Sequence, residues 1–352
     1  MRIAVYAIAK NEESFVKRFC ESAKEADLIL IADTGSNDRT KEVAQECGAQ
    51  VVDICISPWR FDKARDAALA LLPADIDVCI SLDLDETLTE GWREKVENAW
   101  QEGTTRLAYR YQWAPGVIYH YEKIHHRHGY HWHHPCHEYP RPDGRINEVY
   151  VQIDDLLVVH LPDPSKSRGQ YLGLLKLSIE EDPHCPRNAF YYARELTYYH
   201  KWEEAITQLS RYLELPAATW FAERAYAMRL LGDAHKALGH VEDAISWYKR
   251  SCEQDPTARE PWVCLAQLYY EVLDWENCYQ GSKKALDITH KVETYMLDPE
   301  VWGYRPHDLL ALSAFYTGRH EEAVVHGQVA CDLRPSDSRL RANMEFYWQK
   351  AA

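Results

Sequence analysis

The 352-residue sequence predicts an α/β domain followed by an all-α domain of stacked helix pairs. Three observations predict it. Short apolar runs alternate with helix-period segments through the first part of the chain, the signature of a mostly parallel sheet with helices on both faces. After Gln170 only helix-period segments remain, joined by short breaks at Pro, Gly or Asp. The length is also too great for one small core and sets a soft expectation of two domains. The reading divides the chain into residues 1–165 and 166–352.

Residues 3–9 (IAVYAIA) form an apolar run rich in β-formers and read as the first strand. The polar KNEES segment interrupts it, and residues 15–24 have helical spacing. Residues 28–32 (LILIA) are a second buried strand, followed by the loop DTGSNDR and a helix over 40–47. Gly48 suits that helix's C-terminal stop. Residues 50–56 predict a third strand, 62–72 a helix and 77–82 (DVCISL) a fourth strand. Beyond Gly91 the pattern is less regular. Residues 107–113 and 150–160 read as strands, and the polar, His-dense segment from His120 to Arg145 between them reads as a loop. The peptide LPDPSKSR, residues 161–168, reads as a linker.

In the second half, Trp202, Ala205, Tyr212 and Pro216 mark one unit. Gly232, Ala244, Tyr248 and Pro256 mark a second. Trp262, Leu265, Ala266, Tyr269 and Ala285 mark a third, and Tyr316, Gly318, Ala323, Ala330 and Pro335 a fourth. Small residues at helix crossings, nearby aromatics and a closing Pro are the tetratricopeptide pattern, with at least one unit lengthened between Ala205 and Ala244.

Composition narrows the function classes. Hydrophobic residues at 46% and charged residues at 27% are ordinary globular values, which excludes a disordered or collagen-like chain. A net charge of −15 argues against a duplex-DNA binder, which carries a basic face. The ten Cys form no CxxC pair and are expected to be small buried hydrophobes. No apolar run approaches the ~20 residues of a membrane span. The first residues turn polar too soon for a signal peptide, so a cytoplasmic location is expected.

Several residues sit where chemistry is expected, since open parallel sheets bind ligands at the carboxyl ends of their strands. Asp83-Leu84-Asp85 ends a buried strand. Alternation puts Asp83 and Asp85 on one face, a pair suited to Mg²⁺ or Mn²⁺ with positions left open for phosphate. Asp33 ends the second strand, where a nucleobase could lie, while Ser36 or Asp38 caps the next helix. After the first strand, the Glu12 carboxylate could hold ribose hydroxyls, and backbone amides around Ala9 and Asn11 could meet a base. Asp62 and Arg65 lie one helical turn apart, so Asp62 is expected to orient Arg65 toward a base or diphosphate. Eight His lie between His120 and His137 without a recognised zinc spacing. His137 could add a nitrogen ligand to the carboxylate-bound ion, with His160 as its competitor. Glu138 could act as a base or orient a substrate hydroxyl.

These motifs, IAKNEE, IADTGSNDRT, the Pro58-Trp59 loop leading to Asp62 and Arg65, LDLDE and CHE, occur in one order. The chain thereby resembles family 2 glycosyltransferases of the GT-A fold, and within them the subgroup fused to C-terminal tetratricopeptide repeats. The resemblance covers nearly the whole chain. It implies that Asp33 and Arg65 contact the nucleobase, that Asp83 and Asp85 contact ribose and metal-bound diphosphate, and that His137 completes the metal shell. The subgroup often carries Arg-Asn where this chain has Arg65-Asp66, and its usual base motif is not clear here. The expected reaction is metal-dependent, inverting sugar transfer from a nucleoside-diphosphate sugar, with UDP the family's commonest carrier. The acceptor stays open among saccharides, peptides, small molecules and modified nucleobases.

Two rival readings remain open. A nucleotidyltransferase shares this sheet and metal chemistry, yet usually has a Gly-rich basic loop where this chain has the acidic KNEE. A repeat scaffold with a vestigial nucleotide domain is disfavoured by the intact DLD. The repeats are expected to position the acceptor or pair two protomers. Arg194, Arg224 and Arg259 are the candidates for gripping acceptor carboxylates or phosphates.

Overall fold

The structure is a computed structural model, and residues 1–163 and 169–351 are described. Residues 164–168, within the expected linker and across the expected boundary, lie outside the described residues. The chain divides into two compact units, Met1–Glu181 and Asp182–Ala352.

The first unit opens with β1 (Ile3–Ala9), α1 (Glu13–Ser22), β2 (Leu28–Asp33), α2 (Thr40–Glu46), β3 (Gln50–Asp53), α3 (Phe61–Leu71) and β4 (Val78–Ser81). β5 (Glu86–Leu88), α4 (Trp92–Ala99), β6 (Arg106–Ala114), β7 (Val117–His126), β8 (Tyr130–His133), β9 (Tyr139–Pro142), β10 (Tyr150–His160) and α5 (Tyr171–Glu181) complete it. Eight strands form one sheet in the order β3-β2-β1-β4-β7-β6-β10-β5. β1 runs parallel to β2 and β4, and β6 parallel to β10. β7 is antiparallel to both its neighbours. The carboxyl ends of β1, β2, β4, β6 and β10 therefore share one edge.

Alternation along β1 feeds two cores, as a strand buried on both faces requires. Ile3, Val5, Ala7 and Ala9 pack with Val16 and Phe19 of α1. Ala4 and Tyr6 pack with Ala68 and Leu69 of α3 and with Trp132.

The expected loop from His120 to Arg145 is instead largely β-structure, made of the end of β7 and the β8–β9 hairpin. Its His and Tyr alternate with the pleat, and aromatics favour strands. His125 is fully buried, bonded to the Tyr6 hydroxyl at 3.0 Å. Burial pushes its pKa down to about 4, so this imidazole is a neutral core group. The cysteine expectation holds for Cys20, Cys79, Cys136, Cys252 and Cys278, whereas Cys47 and Cys55 are exposed.

The second unit is a run of antiparallel helices: α6 (Pro186–Tyr198), α7 (Trp202–Glu214), α8 (Phe221–Ala237), α9 (Val241–Gln254), α10 (Glu260–Glu271), α11 (Trp275–Asp287), α12 (Arg305–Tyr316), α13 (His320–Leu333) and α14 (Ser338–Ala351). The four marked units fall on the pairs α6–α7 to α12–α13, and the lengthened unit is explained by the 17-residue α8. Gly232 lets α9 approach, because a Cβ there would meet the Tyr248 ring at 2.4 Å. Two of the three singled-out arginines have packing roles. Arg224 donates to the carbonyls of Leu213 and Ala218. Arg259 donates to the Ile288 carbonyl and lies over Trp302, 4.0 Å from the ring centre. Arg194 is ringed by Phe190, Tyr191, Tyr198 and Tyr295.

Candidate active site

The polar residues that interrupt each apolar strand are delivered to the shared carboxyl edge. Asp33, last in β2, is fully buried. Its Oδ1 accepts from the backbone N–H groups of Gly35 at 2.9 Å and Ser36 at 2.8 Å, and the Ser36 hydroxyl donates to its other oxygen. Gly35 stands at φ +103°, a conformation that favours glycine. Asp33 thus fixes the loop that faces the end of β1. There Asn11, with φ +57°, donates its N–H to Ser36 Oγ at 2.8 Å and accepts from the Asn37 N–H at 2.8 Å. The Glu12 N–H donates to Thr40 Oγ1 at 2.7 Å. The Ala9 carbonyl accepts from the Thr34 N–H at 2.8 Å. Ala9, Asn11, Glu12 and Asp33 therefore form one continuous rim.

At the end of β4 the geometry departs from expectation. Asp62 does not orient Arg65. It is held by Arg60, whose guanidinium donates to both carboxylate oxygens at 3.0 and 2.8 Å and also pairs with Glu181. Arg65 is 3% exposed. It donates to Glu138 and Asp83, each at 2.5 Å, and to Ser81 Oγ at 3.1 Å. It also lies over Trp132, 4.9 Å from the ring centre. Glu138, 73 positions away in sequence, is the residue that orients it. Asp66 instead accepts the Trp132 N–H at 2.6 Å, tying α3 to β8.

One charged group of this candidate site went unread in the sequence. Lys123 of β7 is 3% exposed, and its Nζ lies 3.1 Å from Asp83 and 3.4 Å from Glu86. Its Nζ lies over the Tyr121 ring, 4.8 Å from the ring centre, and a lysine set among the aromatics of β7 was the available signal. Burial works against its charge, but Asp83 and Glu86 outweigh that and raise its pKa well above the ordinary lysine value. Burial also opposes ionisation of Asp83, yet Arg65 and Lys123 together hold its carboxyl far below the usual range. Burial raises Glu86, helped by the charges of Asp83 and Asp85 and countered by Lys123. Two buried cations thus converge on one carboxylate, Asp83, whose side chain remains 41% exposed.

Asp85 faces the end of β10, where its Oδ2 lies 3.5 Å from His160 Nε2. The His160 ring is oriented through Nδ1 by the Trp113 carbonyl at 3.0 Å, and the Leu161 N–H donates to the Asp85 carbonyl at 2.8 Å. His137, at φ +53°, packs against Tyr171 with ring centres 6.0 Å apart. The histidine in contact with Asp85 is therefore His160. One carboxylate and one imidazole, its other nitrogen held by a carbonyl, fit a hard divalent ion that draws its remaining ligands from water and phosphate.

A glycosyl transferase family 2 model matches residues 5–153, and a tetratricopeptide repeat model matches residues 226–268. Among curated relatives, an uncharacterized glycosyltransferase of Rickettsia bellii is 30% identical over 97 residues, 27% of this chain and 32% of that one. A TPR repeat-containing protein of Synechococcus elongatus is 30% identical over 96 residues, 26% of this chain and 23% of that one. The chain thus spans about a third or less of the length of these relatives. Among solved structures, MamA covers 48% of this chain and 89% of its own at 16% identity and a TM-score of 0.39. Glucosyl-3-phosphoglycerate synthase from Mycobacterium tuberculosis, in complex with Mn²⁺, UDP and glucosyl-3-phosphoglycerate, covers 32% and 44% at 23% identity and a TM-score of 0.27. No described helix is long and apolar enough to cross a membrane. Residues 5–153 are thus similar to the family 2 glycosyl transferases, and residues 226–268 to a tetratricopeptide repeat.

Proposed function

We propose that the chain transfers a sugar from a nucleoside-diphosphate sugar, with UDP the first carrier to test, to an acceptor nucleophile by a single inverting displacement. The observation that carries the reading is the convergence of Arg65 and Lys123 on Asp83 beside the Asp85–His160 pair, at the carboxyl edge of a family 2 domain. In the displacement, the acceptor oxygen forms a bond to the anomeric carbon as the bond to the diphosphate breaks. The electron pair leaves on the diphosphate, and the acceptor's proton passes to a base. Charge therefore develops on the phosphate oxygens. Preorganised positive charge in a water-poor site stabilises such a transition state more than any other single effect.

In this reading Asp85 and His160 hold Mn²⁺ or Mg²⁺, which supplies Lewis-acid neutralisation of the leaving diphosphate. Asp83, the open carboxylate, meets the donor, while Arg65 and Lys123 fix its position and hold it ionised. Glu138, 8% exposed and closed under Arg65, acts by positioning that guanidinium. The rim at Ala9, Asn11 and Glu12, braced by the loop that buried Asp33 holds, receives the nucleoside. The repeats recruit the acceptor or pair protomers.

Thermal denaturation with nucleoside diphosphates tests the reading. UDP with Mn²⁺ should raise the melting temperature of the wild type and not of Asp85→Ala. Equal stabilisation of both proteins, or none by any nucleoside diphosphate, contradicts it.

A further inference from the structure

The turn between α8 and α9 brings together three donors that the glycosyl-transfer reading does not use. The segment runs His235-Lys236-Ala237-Leu238-Gly239-His240-Val241-Glu242-Asp243. Gly239, at φ +79°, reverses the chain, and the His240 N–H donates to the His235 carbonyl at 2.9 Å. That closes His235, at the end of α8, onto His240, which precedes α9. Asp243 lies in the first turn of α9, three positions beyond His240, and so shares its side of the turn. The His235 Nδ1 lies 3.8 Å from Asp243 Oδ2, and the two imidazole centres are 5.8 Å apart. One ligand atom from each of the three residues can be chosen so that all lie within 4.8 Å of one another, the one such group of three His, Cys, Asp or Glu among the described residues.

A second observation bears on a ligand. His235 Nδ1 is buried from solvent and has no hydrogen-bond partner among the described residues. A buried polar nitrogen left unpaired is costly, and 3.8 Å is too long for a hydrogen bond to Asp243. A cation between the two would satisfy both.

We propose that His235, His240 and Asp243 form a divalent-metal site for Zn²⁺ at the crossing of α8 and α9. Two imidazoles and one carboxylate are a donor set zinc accepts, with a fourth position left to water or to a ligand from outside. The ion would clip the two helices of one repeat together at their turn. The site lies in the second unit, whereas Asp85 and His160 lie in the first. The proposal therefore stands independently of the transfer reaction.

Zn²⁺ alone, titrated into the full chain by calorimetry, tests it. Asp85→Ala should be used as the background, so that the candidate donor site does not contribute. One equivalent should bind at micromolar protein. Because His240 and Asp243 are exposed, His240→Ala and Asp243→Asn should fold normally and weaken that binding at least about tenfold each. Co²⁺ substitution should give visible d–d bands that disappear in His240→Ala. If no stoichiometric binding is seen, or if affinity and bands are unchanged in the His240→Ala/Asp243→Asn double variant, the proposal is wrong.

Discussion

Lys123→Met is the most informative perturbation of the buried charge network. Methionine keeps most of the side-chain volume and removes the ammonium from between Asp83 and Glu86. Removing one partner of a buried pair costs about 3–5 kcal/mol. Two features set the expectation at the lower end. Asp83 is 41% exposed and keeps Arg65, so solvent and the second cation carry much of its charge. Glu86, 1% exposed and already raised by burial, can take up a proton instead of staying charged. Losing Lys123 removes the charge that counters this rise, so the Glu86 pKa moves up further. For an acid whose folded pKa is raised, the unfolded state ionises first as pH rises. Stability then falls from the unfolded value of about 4.3 up to the folded pKa, by as much as ~1.4 kcal/mol per pH unit. The variant should therefore lose about 3 kcal/mol at about pH 8, and distinctly less at about pH 5. For a unit of this size, 3 kcal/mol is about 6–12 °C in melting temperature. Scanning calorimetry of the full chain at both pH values measures this, with Glu86→Gln and Lys123→Met/Glu86→Gln completing a double-mutant cycle. Adding Glu86→Gln should recover most of the loss. A penalty under about 1 kcal/mol that ignores pH, with no recovery in the double variant, would refute the reasoning.

Asp66→Asn keeps an acceptor for the Trp132 N–H and removes a carboxylate whose pKa burial raises, so urea unfolding near neutral pH should show unchanged or greater stability. Glu138→Gln removes the charge that orients Arg65 and should lower turnover of a nucleoside-diphosphate sugar about tenfold or more, with calorimetry showing a fold still intact. Gly232→Ala forces a Cβ to within 2.4 Å of Tyr248 and should cost about 1–3 kcal/mol in urea titrations, with donor-site affinity unchanged.

The strands leading to Asp33 and Asp83 were legible because a carboxylate that follows an apolar run is a sharp break in pattern. The helix pairs were legible because small residues such as Gly232 and Ala244 must recur wherever helices cross. Lys123 was not legible, because its segment's many histidines read as polar loop although they pack as strand. The partner of Arg65 was misread for a different reason. Sequence shows the local neighbour Asp62, three positions away, and hides Glu138, which the β8–β9 hairpin brings back to α3. His160 could be named only as a rival to His137 until the pairing of β10 with β5 and β6 placed it at the same edge as Asp85. Long-range pairing fixes these contacts, and no local period records it.

Product identity after incubation with a panel of nucleoside-diphosphate sugars and Mn²⁺ tests the central claim most directly. The account predicts release of the nucleoside diphosphate, lost on chelation and lost in Asp85→Ala while that variant still folds. Pyrophosphate release from a nucleoside triphosphate, or full activity in Asp85→Ala, would contradict it.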